Sequence, residues 1–380
     1  MELKIKKSDL LEIIGKTQNI VEKRNTMPIL VNVLIEASNK SPKGDTLKVY
    51  ATDLEVSLTD EAPCKVSEPG KVAVDAKQLF QIVKELNDDG IIQLKSKDNN
   101  WLFVQQGKAV FNLVGKNPEE YPMFPTYTSD SFVKIKSSTL KEMIEKTIYS
   151  VSTDETRYHL NGVFFEQIKN GNSYQYRMVA TDGHRLSLVD RETGFEADGK
   201  VKFEKGVIIP RKGLSEISKI LETSMEDVEF TVEGPQLILK NNSAVLMIRL
   251  IEGKYPNFLQ LIPKSLSRNI VASRHELIQS LKRVSLLSNK KSKGITVTLS
   301  HGVMSITTNN PELGDAKEEI QVSYDGEEIK IGFNARYLLD ILNSFNEDEV
   351  EIELNDQLSP GLFRPKQDNK YTCIVMPMRI

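Results

Sequence analysis

The segment ATDGHRLSL, residues 180–188, places Asp182 and His184 two residues apart at the end of a short alternating run. Side chains two apart on a strand point the same way, so this pair could act as acid and base in a hydrolase. Neither a strand-turn-helix serine motif nor a metal-ligand set accompanies the pair. The phosphate-binding loop GxxxxGK[ST] is also absent, which argues against an ATPase. A hydrolase therefore stays an alternative, and no catalytic residue is predicted.

The two cysteines, Cys64 and Cys373, lie far apart and have no second Cys or His at metal-ligand spacing. The sequence therefore predicts neither a disulfide framework nor a zinc site, and no cofactor. The first residues, MELKIKKSDLLEII, are too charged for a signal peptide, and no run approaches the ~20 apolar residues of a membrane span. We expect a cytoplasmic protein without a membrane partner.

The composition indicates a folded protein of two or three domains, because 380 residues exceed the size of a single core and 39% of them are hydrophobic. The formal net charge is −3. A protein that grips DNA by neutralising many phosphates is normally basic. Any DNA binding by this chain should therefore be weak, localised or topological.

A threefold internal repeat is the most informative feature of the sequence. Residues 3–16, LKIKKSDLLEIIGK, match residues 133–146, VKIKSSTLKEMIEK, at eight of fourteen positions, and residues 270–283 form a weaker third copy. LKVYATD (47–53), YRMVATD (176–182) and MSITTNN (304–310) form a second set of markers. A third set is VAVDAKQLFQIVKEL (72–86), VIIPRKGLSEISKIL (207–221) and IGFNARYLLDILNSF (331–345). The markers recur in the same order, so we predict three domains.

The domain junctions carry their own signature, Tyr-Pro-x-Phe, at residues 121–124 and 255–258. Prolines at such positions punctuate elements of structure. We place the three domains at residues 1–125, 130–258 and 265–380.

Each predicted domain contains two amphipathic helices and several short strands. In the third set of markers the apolar residues recur at helical spacing, as in Leu79, Val83 and Leu86. Alternating runs such as TLKVYAT (46–52), NWLFVQQ (100–106), QLILKNN (236–242) and VEIELND (350–356) indicate antiparallel strands. The predicted fold class is α+β, with three tandem copies of two helices packed on antiparallel sheets.

Basic residues occupy aligned positions on these helices, away from the apolar stripe. They are Lys16, Lys146 and Arg283 in one set of helices, and Lys77, Lys212 and Arg336 in the other. Ordinary solvated helix surface would explain each lysine singly. Together the six predict a surface that tracks the phosphate backbone without reading bases.

Several motifs, in register with the repeat, resemble those of the bacterial sliding clamps, the beta subunits of DNA polymerase III. They are RNTMPIL (24–30), TRYHLNG (156–162), ATDGHRLSL (180–188), IPRKG (209–213), EGKYPNF (252–258) and VMPMRI (375–380). The resemblance spans the chain. It implies a head-to-tail homodimer closed into a ring around double-stranded DNA, with helices lining the hole. Such a ring is loaded by an ATP-dependent clamp loader and is a non-catalytic subunit of the polymerase holoenzyme.

The resemblance also implies a hydrophobic pocket between the second and third domains, where the polymerase catalytic subunit, the clamp loader and repair proteins dock short peptides. Aliphatic and Met side chains suit an adaptable apolar site, and flanking arginines could pair with acidic or polar peptide atoms. The pocket residues carried over are Arg157, Leu160, Thr181, Gly183, His184, Arg185, Leu186, Pro256, Leu261, Ile374, Val375, Met376, Pro377, Met378 and Arg379. The sequence has Gln260 where some members have a basic residue.

Two further residue sets are carried over from the family. For sequence-independent contact with DNA they are Arg24, Lys77, Glu155, Tyr158, His159, Arg211 and Lys212, with His159 at a position that is often aromatic. For the dimer interface, Phe111 and Leu113 of the first domain should meet Leu286 and Leu287 of the third. An apolar centre of this kind is usual in stable interfaces. A repeat protein that binds peptides as a monomer, without encircling DNA, stays a second alternative.

Overall fold

The computed structural model describes residues 1–21, 27–42, 44–170, 173–192, 206–222, 227–263 and 266–379. Within these ranges the chain forms six α-helices and 26 strands, and the strand pairs are antiparallel. Its residues divide into two compact units, each described by itself below.

The first unit comprises the described residues within 1–138 and 212–250. Its helices are α1 (Lys7–Thr17), α2 (Ala76–Glu85) and most of α4 (Arg211–Glu222). Its strands are β1 (Glu2–Lys6), β2 (Asn32–Ser41), β3 (Gly44–Thr52), β4 (Val56–Pro63), β5 (Lys65–Glu68), β6 (Gly70–Asp75), β7 (Ile91–Ser96), β8 (Leu102–Gln106), β9 (Ala109–Leu113), β10 (Gly115–Lys116), β11 (Val133–Ile135), β16 (Val228–Glu233), β17 (Gln236–Asn241) and β18 (Ala244–Arg249). They form a five-stranded sheet, β5-β1-β7-β8-β9, and a nine-stranded sheet, β10-β6-β2-β3-β4-β18-β17-β16-β11.

The second unit comprises the described residues within 139–193, 203–211 and 251–380. Its helices are most of α3 (Ser137–Glu145), α5 (Arg274–Val284) and α6 (Ala335–Asn343). Its strands are β12 (Gly162–Asn170), β13 (Ser173–Thr181), β14 (Arg185–Glu192), β15 (Val207–Pro210), β19 (Arg268–Ser273), β20 (Gly294–Ser300), β21 (Val303–Asn310), β22 (Gly314–Ser323), β23 (Ile329–Asn334), β24 (Glu349–Leu354), β25 (Gly361–Pro365) and β26 (Tyr371–Val375). All twelve join in one sheet of order β15-β12-β13-β14-β26-β25-β24-β19-β22-β21-β20-β23.

The predicted elements are confirmed. The four alternating runs chosen from the sequence form β3, β8, β17 and β24, and the three copies of the third marker contain α2, α4 and α6. Side-chain oxygens start several helices by accepting free backbone N–H groups, as Asp75 Oδ1 does from Gln78 at 2.8 Å and Asn334 Oδ1 from Arg336 at 2.9 Å. The apolar stripe of α6, including Leu338 and Ile341, is buried.

The central repeat is shared between the two units. Its strands β16–β18 extend the sheet of the first unit, because β18 pairs with β4, and Ser57 lies opposite Met247. Its strands β12–β15 extend the sheet of the second unit, because β14 pairs with β26, and Ser187 lies opposite Cys373. The repeats are therefore joined by continuous antiparallel sheet rather than by linkers alone.

In the described part of the chain, no helix is long and apolar enough to cross a membrane. Across the same residues, no group of three or more His, Cys, Asp and Glu side chains is arranged to hold a metal ion.

Candidate functional site

A buried apolar cluster lies in the second unit where β14 pairs with β26. Leu186 and Ile374 are register partners across the two strands, and Leu160 joins them from the 3₁₀ segment Glu155–Leu160. The remaining buried members are Val179, Leu188, Ile208, Tyr255 and Phe258. The fold thus gathers three of the predicted pocket residues, which are distant in sequence, into one apolar cluster.

Exposed apolar side chains follow two segments of this cluster. Leu261 ends the 3₁₀ turn that begins at buried Phe258, and Met376 comes directly after β26. The backbone N–H of Met376 donates to the His184 carbonyl at 2.8 Å, and that of Met378 donates to the Gly332 carbonyl at 2.8 Å. These bonds fix the backbone of the segment 376–378, which follows directly after cluster residue Ile374 and buried Val375.

The other predicted pocket residues differ in accessibility. Thr181 and Val375 are buried, Pro256, Pro377, Met378 and Arg157 are half-buried, and Gly183, His184 and Arg379 are exposed. The predicted pocket set therefore includes both buried and solvent-accessible residues.

The loop 181–185 is fixed by its own hydrogen bonds. Asp182 Oδ1 accepts the backbone N–H groups of His184 at 2.9 Å and Arg185 at 3.0 Å. The Thr181 hydroxyl donates to the Arg185 carbonyl at 2.6 Å and accepts the Gly183 N–H at 3.1 Å. The Asp182 carboxylate thus accepts hydrogen bonds from the backbone N–H groups of this loop and not from the His184 ring. The two side chains do not form the acid-base pair that a hydrolase would need.

Gly183 has a φ of +89°, a conformation that L side chains rarely adopt. A Cβ at this position would lie 2.7 Å from Nη1 of Arg157. The glycine is therefore required both by the backbone conformation and by the close approach of the arginine.

The guanidinium of Arg185 is buried, with only 8% of the residue exposed. Its Nε donates to Asp182 at 3.0 Å, Nη1 to Asp340 at 2.6 Å and Nη2 to the Tyr149 carbonyl at 2.6 Å. The same group lies 4.5 Å from the ring centre of Tyr337. Arg185 therefore ties the loop to helix α6 and positions the pocket, whereas half-exposed Arg157, whose Nε donates to Asp154 at 3.0 Å, keeps part of its guanidinium accessible.

A buried polar network lies behind the apolar cluster. The hydroxyl of Tyr149 is 2.9 Å from that of Tyr371 and 3.3 Å from the Cys373 sulfur, and it accepts a hydrogen bond from Ser187 at 2.7 Å. Burial raises the pKa of the Cys373 thiol and raises that of Cys64 to about 11. Both thiols are therefore protonated at neutral pH.

Lys146 corrects one prediction. The sequence placed it on a solvent-facing helix surface, but only 3% of it is exposed, and Nζ lies 3.1 Å from Asp368 and 3.4 Å from Glu142. Arg191 joins the same cluster, with Nη2 2.6 Å from Glu142 and 2.5 Å from Asp368. The prediction was wrong because Asp368 and Arg191 come from remote segments, which the helix pattern could not place beside Lys146; Glu142 lies four residues before Lys146, on α3.

The paired carboxylates of this cluster stay ionised more readily than free ones. Burial raises the pKa of Glu142 and of Asp368, but the hydrogen bonds and charges of Arg191 and Lys146 outweigh it. Both pKa values are therefore below their ordinary range.

Other aligned basic residues are also engaged within the chain. Lys16 lies 2.8 Å from Asp60, whose side chain is fully buried, and Arg283 forms an ion pair with Glu318. Lys212 forms an ion pair with the nearly buried carboxylate of Asp53. The basic surface predicted from helix alignment is thus partly neutralised by neighbouring strands.

The residues predicted to contact DNA lie in both units. Lys77 and Lys212 are the second residues of α2 and α4 in the first unit. Glu155, Tyr158, His159 and Arg211 belong to the second unit, where the rings of Tyr158 and His159 meet edge to face at 5.7 Å. Arg24 lies outside the described residues.

The residues predicted at the dimer interface lie beside strand edges. Phe111 is exposed on β9, the edge of the five-stranded sheet, and its neighbour Val110 is also exposed. Leu286 is 77% exposed in the 3₁₀ turn Ser285–Leu287, and Leu287 is half-buried. Leu113 is only 7% exposed, so most of its side chain already packs within the chain.

Tyr149, Tyr337 and Asp340 were not predicted at the site. Tyr337 and Asp340 lie on the polar side of α6, beside the apolar stripe. An aromatic residue on the polar face of a helix was the available signal for Tyr337. The lysine run NKKSKG (289–294) is a sequence signal for a charged surface.

The chain matches the family models of the three domains of the DNA polymerase III beta subunit. The N-terminal domain model matches residues 1–125, the central domain model residues 134–257 and the C-terminal domain model residues 259–379.

Similar proteins align over their whole lengths. A beta sliding clamp from Caulobacter vibrioides is 33% identical, and one from Pseudomonas putida is 32% identical, each covering 100% of both chains. Among solved structures, a sliding clamp (DNA polymerase III subunit beta) from Bartonella birtlesii bound to griselimycin has a TM-score of 0.92 at 32% identity. The DNA polymerase III subunit beta from Pseudomonas aeruginosa has a TM-score of 0.92 at 30% identity, and both structures cover 100% of each chain.

Proposed function

The chain belongs to the DNA polymerase III beta subunit family, and from this premise we propose that it is a sliding clamp. In this role two copies form a ring around duplex DNA and tether the polymerase, without catalysing a reaction themselves. An ATP-dependent clamp loader opens and closes the ring, and the protein acts in the bacterial cytoplasm.

The joints between repeats support the closed ring. Each repeat has two helices, and each helix is followed by at least three strands. The third strand after the first helix is β4 in the first repeat, β14 in the second and β22 in the third; the third strand after the second helix is β9, β18 and β26 in the same order. Strands of these two kinds pair at β4–β18 and β14–β26. Within the described residues of one copy, β22 of the third repeat and β9 of the first repeat have no such partner. If β22 of one copy paired with β9 of another, the head-to-tail contact would have the same kind of strand pairing as the two within the chain.

The two leftover strands have edges suited to such a joint. In the described chain β9 pairs only with β8, and along residues 314–321 β22 pairs only with β21. An edge strand with exposed Val110 and Phe111 is a template for pairing with another chain. Two joints between two copies would close six repeats into a ring.

The pocket residues support the tethering function. An apolar cluster, with exposed Leu261 and Met376 a few residues after its members Phe258 and Ile374 and half-exposed Arg157 on the same segment as Leu160, suits a short peptide with apolar anchors and polar neighbours. The predicted partners are the polymerase catalytic subunit, the clamp loader and other proteins that carry such a peptide. The domain limits 1–125, 130–258 and 265–380 and the DNA-contact residues form part of this proposal.

The single observation that carries the proposal is the repeated strand joint with one β9 edge and one β22 edge left over. Topological binding is tested by loading the protein onto nicked circular DNA with a clamp loader and then washing in high salt, which suppresses phosphate contacts. Half of the sample is linearised before the wash. Retention on the circle with loss from linear DNA is the expected result, whereas equal loss from both would contradict a clamp.

A further inference from the structure

A cleft of about 510 Å³ lies in the second unit and shares residues with the peptide pocket. Arg157, His184 and Arg185 line it, and all three are among the predicted pocket residues. The lining carries further positive charge from Lys290, Lys291, Lys293 and Arg336. We call this the basic cleft.

The negative charges of the basic cleft are already neutralised. Its three carboxylates are Asp154, Asp182 and Asp340. Asp154 pairs with Arg157 at 3.0 Å, and Asp182 and Asp340 pair with Arg185 at 3.0 and 2.6 Å. The cleft therefore has an excess of positive charge.

Four further cations of the lining have no carboxylate within ion-pair distance among the residues that the structure describes. They are the side chains of Lys290, Lys291, Lys293 and Arg336, and Arg211 also lines the cleft. Four side chains of one sign, lining one concave surface, create a local positive potential although the whole chain is acidic.

The lysines are carried by an ordered turn. Asn289 Oδ1 accepts the N–H groups of Lys291 at 2.9 Å and Ser292 at 3.1 Å, and the Asn289 carbonyl accepts the Lys293 N–H at 2.9 Å. The Lys293 carbonyl in turn accepts the N–H of Ala335, the first residue of α6, at 2.9 Å. The backbone that carries the charges is thus held against the helix that carries Arg336 and Tyr337.

Lys293 has a φ of +51°, which a lysine adopts at a cost that glycine would avoid. A lysine at a position suited to glycine is consistent with a use for its charge.

We propose that the basic cleft receives acidic side chains that flank the apolar anchor of a partner peptide and so selects among partners. The proposal rests on the proposed function, because the anchor must sit in the peptide pocket. Continuity favours a peptide over DNA, because Arg157, His184 and Arg185 of the lining belong to the predicted pocket and only Arg211 to the predicted DNA contacts. One extended segment can reach both the pocket and the cleft at ~3.3 Å per residue. Exposed ion pairs of this kind add modest affinity, and the complementary charge favours acidic over uncharged partners.

The test uses a fluorescent peptide with Leu and Phe anchors, selected from a library without acidic residues for binding to the full chain. Two versions carry the flank Asp-Glu-Asp or the uncharged flank Asn-Gln-Asn. We expect the acidic version to bind about three- to tenfold more tightly than the uncharged version at low salt. This affinity ratio, acidic over uncharged, should fall towards one as salt rises.

The variant Lys290→Gln/Lys291→Gln should bring the ratio close to one and leave the affinity for the uncharged version unchanged. The matched control is Lys282→Gln/Lys330→Gln, which removes two exposed lysines that do not line the cleft and should keep the ratio. Lys293→Gly removes a charge and relieves the backbone, so it should lower the ratio without lowering the unfolding midpoint.

A ratio that the Lys290→Gln/Lys291→Gln variant preserves would overturn the proposal. So would a variant that weakens duplex DNA binding while the peptide ratio stays the same, since DNA phosphates would then be the occupant. A selection that yields no peptide bound by the wild-type chain would instead contradict the proposed peptide pocket, so the two failures are distinguishable.

Discussion

Residues of the loop 181–185 form intrachain hydrogen bonds that their residue types alone do not predict. The family resemblance included Arg185 as a flanking cation, and the structure uses all of its guanidinium nitrogens within the chain. The residue type was predictable, but its partners Asp340 and Tyr149 were not, because they come from helix α6 and from the segment after α3. Contacts between remote segments are set by the tertiary fold rather than by local pattern.

Gly183→Ala should destabilise the protein and weaken peptide binding. The left-handed backbone costs alanine about 1–2 kcal/mol, and the new Cβ at 2.7 Å must displace the Arg157 side chain. Gly302→Ala is the control, because Gly302 has a similar φ of +74° and a Cβ added there would have no atom within 4 Å. Urea unfolding should show a loss in both variants, and peptide titration a loss in Gly183→Ala alone. Equal peptide affinity in the two variants would show that the Arg157 contact does not matter.

Lys146→Met should lower the free energy of unfolding by about 2 kcal/mol, because it leaves Asp368 and Glu142 with Arg191 as their remaining cation. Lys141→Met, on α3 and five residues before Lys146, is the control. Lys141 is half-exposed and its ammonium lies 3.9 Å from Glu145, a long ion pair, so its loss should change the free energy by less than about 0.5 kcal/mol. Denaturant unfolding measures both, and similar values for the two variants would contradict a structural role for Lys146.

Among the elements, α3, β14 and the turn that joins β25 to β26 are tied together by the charged cluster of Glu142, Arg191 and Asp368. The repeat marker at residues 133–146 predicted helix α3, because its apolar periodicity is local. It could not predict the ion pairs between them, which depend on the order of strands in the twelve-stranded sheet.

Acid should weaken this connection between elements. The folded-state pKa values of Glu142 and Asp368 lie below their ordinary values of 4.5 and 3.8. Their contribution is therefore fully present above about pH 5 and is lost as the pH falls through the lowered folded values. Urea midpoints measured from pH 7 down to pH 3 should decline, and Asp368→Asn should decline less steeply from a lower starting value. An equally steep decline in Asp368→Asn would assign the acid sensitivity to other carboxylates.

Leu286→Asp should convert the dimer to a monomer at micromolar concentration, because a carboxylate would replace an exposed leucine in the proposed interface. Leu358→Asp is a matched control, since Leu358 is also 77% exposed but is not in the proposed interface. Sedimentation or light scattering gives the mass. A dimer that persists in Leu286→Asp, or is lost equally in both variants, would contradict the assigned interface.

For the whole molecule, the threefold repeat predicted the architecture because repeated markers report a repeated fold. The sequence did not show that the central repeat divides its strands between two compact units. Strand pairings such as β4–β18 join residues far apart in the chain, and no local pattern encodes them.

Each ring should bind two peptides, and a monomer should bind one with the same affinity. The reason is that the pocket residues all come from the second unit of a single chain. Titration calorimetry on the wild type and on Leu286→Asp should therefore give equal affinity per chain, although only the wild type should stay on circular DNA. A large loss of peptide affinity in the monomer would mean that the partner copy completes the pocket.

The division of the central repeat has a consequence for how such a protein can change over time. A crossover at the boundary of a sequence repeat would cut through a sheet and expose strands such as β4 or β26 that are covered by neighbours in the intact chain. A crossover that exchanges β18 together with β4 would keep the hydrogen bonds of that joint. The segment that is repeated in the sequence is thus not a segment that can be exchanged independently. We expect functional variants of this chain to carry paired substitutions, one on each of the two strands that meet at a joint.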